Sequence, residues 1–195
     1  MPDAPPPVGT QVTPPAPDAL DDLVNRWRAA APGRFVPAFD PDSGRTQARV
    51  LVLLERPAAD TVARGDEAVS SEDNPNRSSR AFRDARIASG ITRRDYLRWN
   101  MIPWADPGPP AVIRSAELDS ARDALHELMT ALPLLRSIVT LGQPALDGVM
   151  RYFTLHDTPV IRTVLAAPHP SPANGRHRAE QHVRIVAALS RAMQI

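Results

Sequence analysis

The sequence contains no cysteine and no lysine. It also lacks any uncharged apolar run of about 18 residues, the length a membrane-spanning helix needs. Without cysteine there is no disulfide framework, no thiolate zinc site, no iron-sulfur cluster and no cysteine nucleophile. A cysteine-free chain suits a reducing compartment. The opening stretch MPDAPPPVGTQVTPPAPDAL has neither the basic n-region nor the apolar h-region of a secretory signal, so a soluble, cytoplasmic protein is expected. All 23 basic residues are arginine, set against 22 acidic ones, for a formal net charge of +1. Arginine to the exclusion of lysine is what a GC-rich coding sequence yields, and a near-neutral balance does not by itself mark a nucleic-acid binder. The charge is unevenly placed, however. From Val160 onward the arginines 162, 176, 178, 184 and 191 meet a single acid, Glu180. A binding face should include this end.

The chain of 195 residues is the size of one domain, preceded by a tail. Residues 1–17 carry prolines at positions 2, 5, 6, 7, 14, 15 and 17 and little that could be buried, so a disordered tail is expected there and a single domain over 18–195. Asp18 reads as the N-cap of a helix with Leu20, Leu23, Val24 and Trp27 on one face, stopped by Pro32 and Gly33. PAFDPDSG then reads as a loop. From Arg49 short apolar runs alternate with amphipathic stretches. The runs RVLVLLE (49–55), YLRWNMIPW (96–104), SIVTLG (137–142) and VIRTVLAA (160–167) have the unbroken apolar character of strands covered on both faces. Helices are predicted over 77–89, with Gly90 as terminator, over 115–132, over 144–152 and over 178–193, the last with Val183, Val186 and Leu189 facing inward. Strand and helix in alternation predict an α/β fold, a three-layer α/β/α sandwich around a four-stranded parallel sheet.

Ligands of open α/β sheets bind beyond the carboxyl ends of the strands. Those ends are polar here: LLERPAAD, WNMIPWAD, LGQPA and AAPHPSPAN. Glu55, Asn100, Gln143 and His169 should therefore converge on one rim, each close to a proline that stiffens its loop. Taken singly, each has a structural reading: Glu55 paired with an arginine, Asn100 tying strand to loop, His169 satisfied beneath a Pro-Ser turn. Three together at the same ends of three strands point to a site.

The succession L-E-R-P-A, W-N-M-I-P-W and H-P-S-P resembles the signature motifs of the uracil-DNA glycosylase superfamily, most closely a bacterial branch without an iron-sulfur cluster. The resemblance spans most of Phe35 to Met193. It implies a DNA glycosylase that hydrolyses the N-glycosidic bond of uracil or a related deaminated or damaged base. Such chemistry needs a stabilised anionic leaving group, a positioned water and a base drawn out of the helix. By resemblance, His169 donates a hydrogen bond to the base O2 as charge builds there, and Glu55 orients or deprotonates the water. Asn100 reads the base through N3–H and O4, a pattern that cytosine reverses.

The departures from the family pattern are specific. Motif one has Leu54 where glycine is usual and ends in Ala58, with a different backbone near the water site as the consequence. The aromatic on which relatives stack the base falls near Asn74 and Pro75, so Asn74 becomes the base-facing residue. Ala58 and Ala59 stand where uracil-specific relatives set a bulky group against the C5 position of the base. Pro170 and Ser171 are expected to press on the DNA backbone, and Arg176 or Arg178 to serve as wedge and phosphate contact in place of a leucine; a solvated arginine pair before a helix is the other reading. No cofactor or metal is expected, and the partner is DNA, bound by a monomer. Two other readings stay open: a catalytically weak or inactive DNA-binding relative that holds a damaged base or abasic site, and a serine hydrolase using Ser171, His169 and Glu55. The second lacks the G-x-S-x-G elbow such enzymes carry.

Overall fold

The computed structural model describes residues 18–106, 108, 112–171 and 177–195; the proline-rich stretch 1–17 and Arg176 lie outside them. The described chain opens with α1 (Ala19–Ala30), whose N-cap Asp18 accepts hydrogen bonds from the backbone N–H of Leu20 at 2.9 Å and of Asp21 at 3.3 Å. Leu20, Leu23, Val24 and Trp27 are its buried stripe, as the sequence predicts. There follow β1 (Ala38–Phe39), β2 (Val50–Leu54), α2 (Ala59–Val62), β3 (Val69–Ser70), α3 (Arg77–Ser89) and β4 (Tyr96–Asn100). The second half holds α4 (Ser115–Ser120), α5 (Arg122–Thr130), β5 (Ser137–Leu141), α6 (Gln143–Leu155), β6 (Thr163–Ala167) and α7 (Arg178–Ala192).

Four strands form one parallel sheet in the order β4-β2-β5-β6, with β2 pairing Leu51 to Leu97 on one side and to Ile138 on the other. β1 and β3 make a separate two-residue parallel pair inside what reads as loop in the sequence. Side chains alternate across the sheet with the period of two that a pleated strand imposes. Leu51, Leu53, Leu97, Trp99 and Ile138 pack with α1, α4, α5 and α6 on one face. Val50, Val52, Leu54, Tyr96 and Val139 pack with Phe82 of α3 and with Ile185 and Leu189 of α7 on the other. The domain is therefore the expected α/β/α sandwich, and all four strands deliver their carboxyl ends to one rim.

Three details differ from the sequence reading. β2, β4 and β5 are buried along their length, but in β6, at the opposite end of the sheet from β4, only Ala167 is buried. The expected helix over 115–132 is interrupted at Ala121, which is fully buried and takes φ −92°, ψ −1°. Val183 does not face inward: it is 63% exposed, while Ile185 is 1% exposed. At about 100° per residue, Val183 lies on the far side of α7 from the buried stripe of Gln181, Ile185, Ala188, Leu189 and Ala192.

Candidate active site

Gly142 ends β5 with φ +102° and ψ 159°, a conformation open in practice to glycine alone. Its missing side chain is the space two functional groups occupy. A Cβ here would lie 3.1 Å from Glu55 Oε1 and 3.2 Å from the Cβ of His169. The Glu55 carboxylate and the His169 side chain thus both border this one glycine, at the adjacent ends of β2, β5 and β6. The Gly142 N–H donates to the Ala167 carbonyl at 3.0 Å and holds the β6 exit in place.

Beside this junction a cavity of about 140 Å³ opens on the α3/α7 face of the sheet. That is about the size known to hold one six-membered ring. Asn100, Asn74, Ala58 and His169 line it together, with Arg98 and Arg56. Asn100 and Arg98 sit two residues apart on β4, hence on the same face, following Tyr96. The Asn100 amide has no hydrogen-bond partner among the described residues, so its acceptor and donor are available to a ligand. Asn74 is differently placed: its Oδ1 accepts from Arg64 at 3.0 Å and its Nδ2 donates to the Val69 carbonyl at 2.9 Å. Its amide is engaged within the wall. Glu55 is not among the residues lining the cavity and reaches the site only through the Gly142 junction; Gln143, exposed at the start of α6, does not line it either.

Electrostatics separate the two titratable groups. Burial pushes the Glu55 carboxyl above the ordinary carboxylate value, opposed in part by the charge of Arg56. Burial, and after it the charge of Arg98, pulls the His169 imidazole down to about 4. His169 is therefore neutral at pH 7, and it can give a hydrogen bond without giving a proton. Neither ring nitrogen has a partner among the described residues. A half-buried carboxylate with a raised pKa suits the work of a general base toward water.

The loop that carries His169 is tied to α7. Gln181 Nε2 donates to the His169 carbonyl, and lies 3.5 Å from the Ser171 carbonyl, while the Ser171 N–H donates to the His169 carbonyl at 2.8 Å. Pro170 is buried and Ser171 half-buried. Next to this loop, between the N-terminal halves of α3 and α7, runs a wider cleft of about 620 Å³ lined by Arg77, Arg80, Arg178, His182, Pro170 and Ser171 among others. The three arginines are exposed and form no ion pair with a described residue, and Asp84 is the single acid among the described residues that line the cleft with them.

Three contributors escaped the sequence reading. Gly142 was signalled by a glycine directly between a strand and a proline-marked helix start. Arg98 was signalled by a lone charge inside an apolar strand, in phase with Asn100. Gln181 carried no signal, since its contact lies ten to twelve residues away in a loop.

A parallel sheet whose strand ends border a small polar cavity defines the class of α/β protein to which this chain's fold belongs. The comparison with protein families gives that class a name: the description "Uracil DNA glycosylase superfamily" matches residues 41–190, and the chain belongs to that superfamily. Among solved structures the fold is similar to the crystal structure of wild-type Pedobacter heparinus SMUG2, with a TM-score of 0.60 and 12% identity, covering 89% of this chain and 96% of that one. At that identity the likeness concerns the fold. No curated protein matches the sequence.

Proposed function

We propose that the protein is a DNA glycosylase that hydrolyses the N-glycosidic bond of uracil or a related deaminated or damaged base. The observation that carries this reading is a cavity of about 140 Å³ lined by both His169 and the amide of Asn100, which has no hydrogen-bond partner among the described residues. The flipped base enters that cavity and Asn100 matches its Watson–Crick edge, accepting from N3–H and donating to O4. Neutral His169 donates to O2 as the glycosidic electron pair moves into the ring. Glu55, at the Gly142 junction, takes the proton of the attacking water. Ala58 and Asn74 form walls of the pocket. Pro170, Ser171 and Arg178 meet the DNA backbone beside it, Arg178 within the basic cleft. The protein acts without a metal or other cofactor, as a cytoplasmic monomer.

The absence of any Phe, Tyr or Trp among the described residues lining the cavity favours one alternative, a DNA-binding relative with weak or no excision that holds a damaged base or abasic site. Labelled oligonucleotides carrying uracil, hypoxanthine or G·T and G·U mismatches, followed by alkali, separate the two. Cleavage at one of these bases supports the glycosylase. Tight binding to all with no cleavage supports the inert relative.

A further inference from the structure

Arg98 is 8% exposed, at the midpoint of β4, the end strand of the sheet that also carries Asn100. Burying a guanidinium is costly unless an anion and a full set of acceptors repay it. The surroundings of Arg98 repay it poorly. Among the described residues its one hydrogen bond runs from Nη1 to the carbonyl of Ser71, and its buried Nε finds no partner. Its guanidinium lies 5.8 Å from the centre of the Phe82 ring, a modest attraction.

The nearby buried carboxylates are already taken. Glu72, 1% exposed, receives Arg86 at 2.6 Å and 3.0 Å and the Tyr96 hydroxyl at 2.8 Å. Asp40, 4% exposed, receives Arg93 at 2.5 Å and the Ser71 hydroxyl at 2.7 Å. Asp60 stands exposed at the cavity mouth and forms no ion pair with Arg98. Two buried acids therefore pair with two other arginines, and Arg98 lines the cavity with no ion pair of its own among the described residues, balanced only by the more distant charges of Glu72, Asp40 and Asp60. Its charge reaches His169 as well, where it helps keep the imidazole neutral.

We propose that Arg98 is the counter-charge for the departing base, so that the pocket selects nucleobases that leave as stabilised anions. This rests on the glycosylase reading and deepens it. In the step concerned, the bond from C1′ to the base nitrogen breaks and its electron pair goes with the base, spread over the ring and its carbonyl oxygens. The water oxygen bonds to C1′ and its proton passes to Glu55. Neutral His169 offers a dipole to that anion, whereas Arg98 offers a full charge in a site with little water, where charge is worth most.

The test compares the wild type with Arg98→Met and Arg98→Gln, the latter keeping a donor for the Ser71 carbonyl without the charge. Single-turnover excision is followed on oligonucleotides with uracil, 5-fluorouracil and 5-methyluracil, whose ring acidities differ. Both variants should lose about a hundredfold on uracil and less on 5-fluorouracil, so the dependence of rate on leaving-group acidity steepens. A second readout needs no catalysis: absorbance titration of free 5-nitrouracil, an acidic base, in the presence of protein. Wild type should favour its anion and lower its apparent pKa, and both variants should not. Thermal stability should hold or rise in the Met variant, because an unpaired buried charge has been removed. Unchanged acidity dependence together with an unchanged nitrouracil titration would overturn the proposal. A wild type that excises nothing yet still prefers the 5-nitrouracil anion would support the counter-charge while overturning the glycosylase reading.

Discussion

Gln181 on α7 reaches across to the loop after β6 and donates its side-chain amide to the backbone carbonyl of His169. The position of the imidazole therefore depends on a helical residue twelve positions further along the chain. Gln181→Met removes the donor, leaving the carbonyl with the Ser171 N–H alone. The expected loss of stability is about 1 kcal/mol. The expected loss of excision rate is larger in proportion, between about tenfold and a hundredfold, because small displacements of a reacting group are costly. Chemical denaturation beside single-turnover kinetics checks this; a rate that falls no further than stability explains would show that Gln181 only packs.

Gly142→Ala adds a methyl group into 3.1 Å and 3.2 Å contacts with Glu55 and His169, at a φ of +102°. Strain of this kind costs about 1 to 3 kcal/mol. Excision should fall at the same time, since both displaced groups belong to the site. A melting curve and a rate measured on the same preparation decide it, and a variant with wild-type values for both would contradict the described junction.

The two titratable groups give opposite pH signatures. Glu55 has a folded pKa above its ordinary 4.5, so its contribution to stability is present in full below that value and is lost as pH rises through the raised one. Glu55→Gln should accordingly be more stable than wild type at pH 7, with that advantage shrinking toward pH 4, and it should excise slowly at both. Denaturant titrations at the two pH values measure the difference.

His169 has a folded pKa of about 4 against an ordinary 6.5. Its contribution is present above pH 6.5 and is lost as pH falls through 6.5 toward 4. His169→Ala should flatten the decline of stability across that window. Its excision rate at pH 7 should fall by a hundredfold or more, about 10²- to 10³-fold, with DNA affinity nearly unchanged. Binding titrations and single-turnover rates separate the two effects.

Asn100→Asp replaces the free amide donor with a carboxylate, which can no longer donate to O4 unless protonated. Preference should move away from uracil and toward cytosine, read from competing oligonucleotides. Retained uracil preference would place base reading elsewhere in the pocket.

The order of strands and helices was legible because long apolar runs and Gly or Pro boundaries mark them, and Asp18, Asn76 and Gly90 cap helices where their chemistry suggests. The openness of β6 was not legible. VIRTVLAA has the same apolar texture as the buried runs, and nothing local records how fully a strand is covered. Val183 misled for a related reason: an apolar residue on a helix does not state which face is buried when a polar residue, here Gln181, holds the inward position. Asn100 and His169 could be placed at a common rim from strand polarity alone. That Glu55 stands beside the cavity rather than in its wall follows from the alternation of β2, where Leu54 faces α3 and α7 and the next residue turns the other way.

His169 follows the one strand of the main sheet that is not enclosed. Among the described residues β6 pairs only with β5, and it leaves most of its residues partly open. In a protein whose parts open with different free energies, such a strand exchanges its amide hydrogens earlier than β2 or β5. The histidine can then detach with its strand while Leu51, Val52 and Ile138 stay protected, so loss of the site precedes loss of the fold on gentle heating. Activity and ellipticity would then give two melting temperatures for one domain.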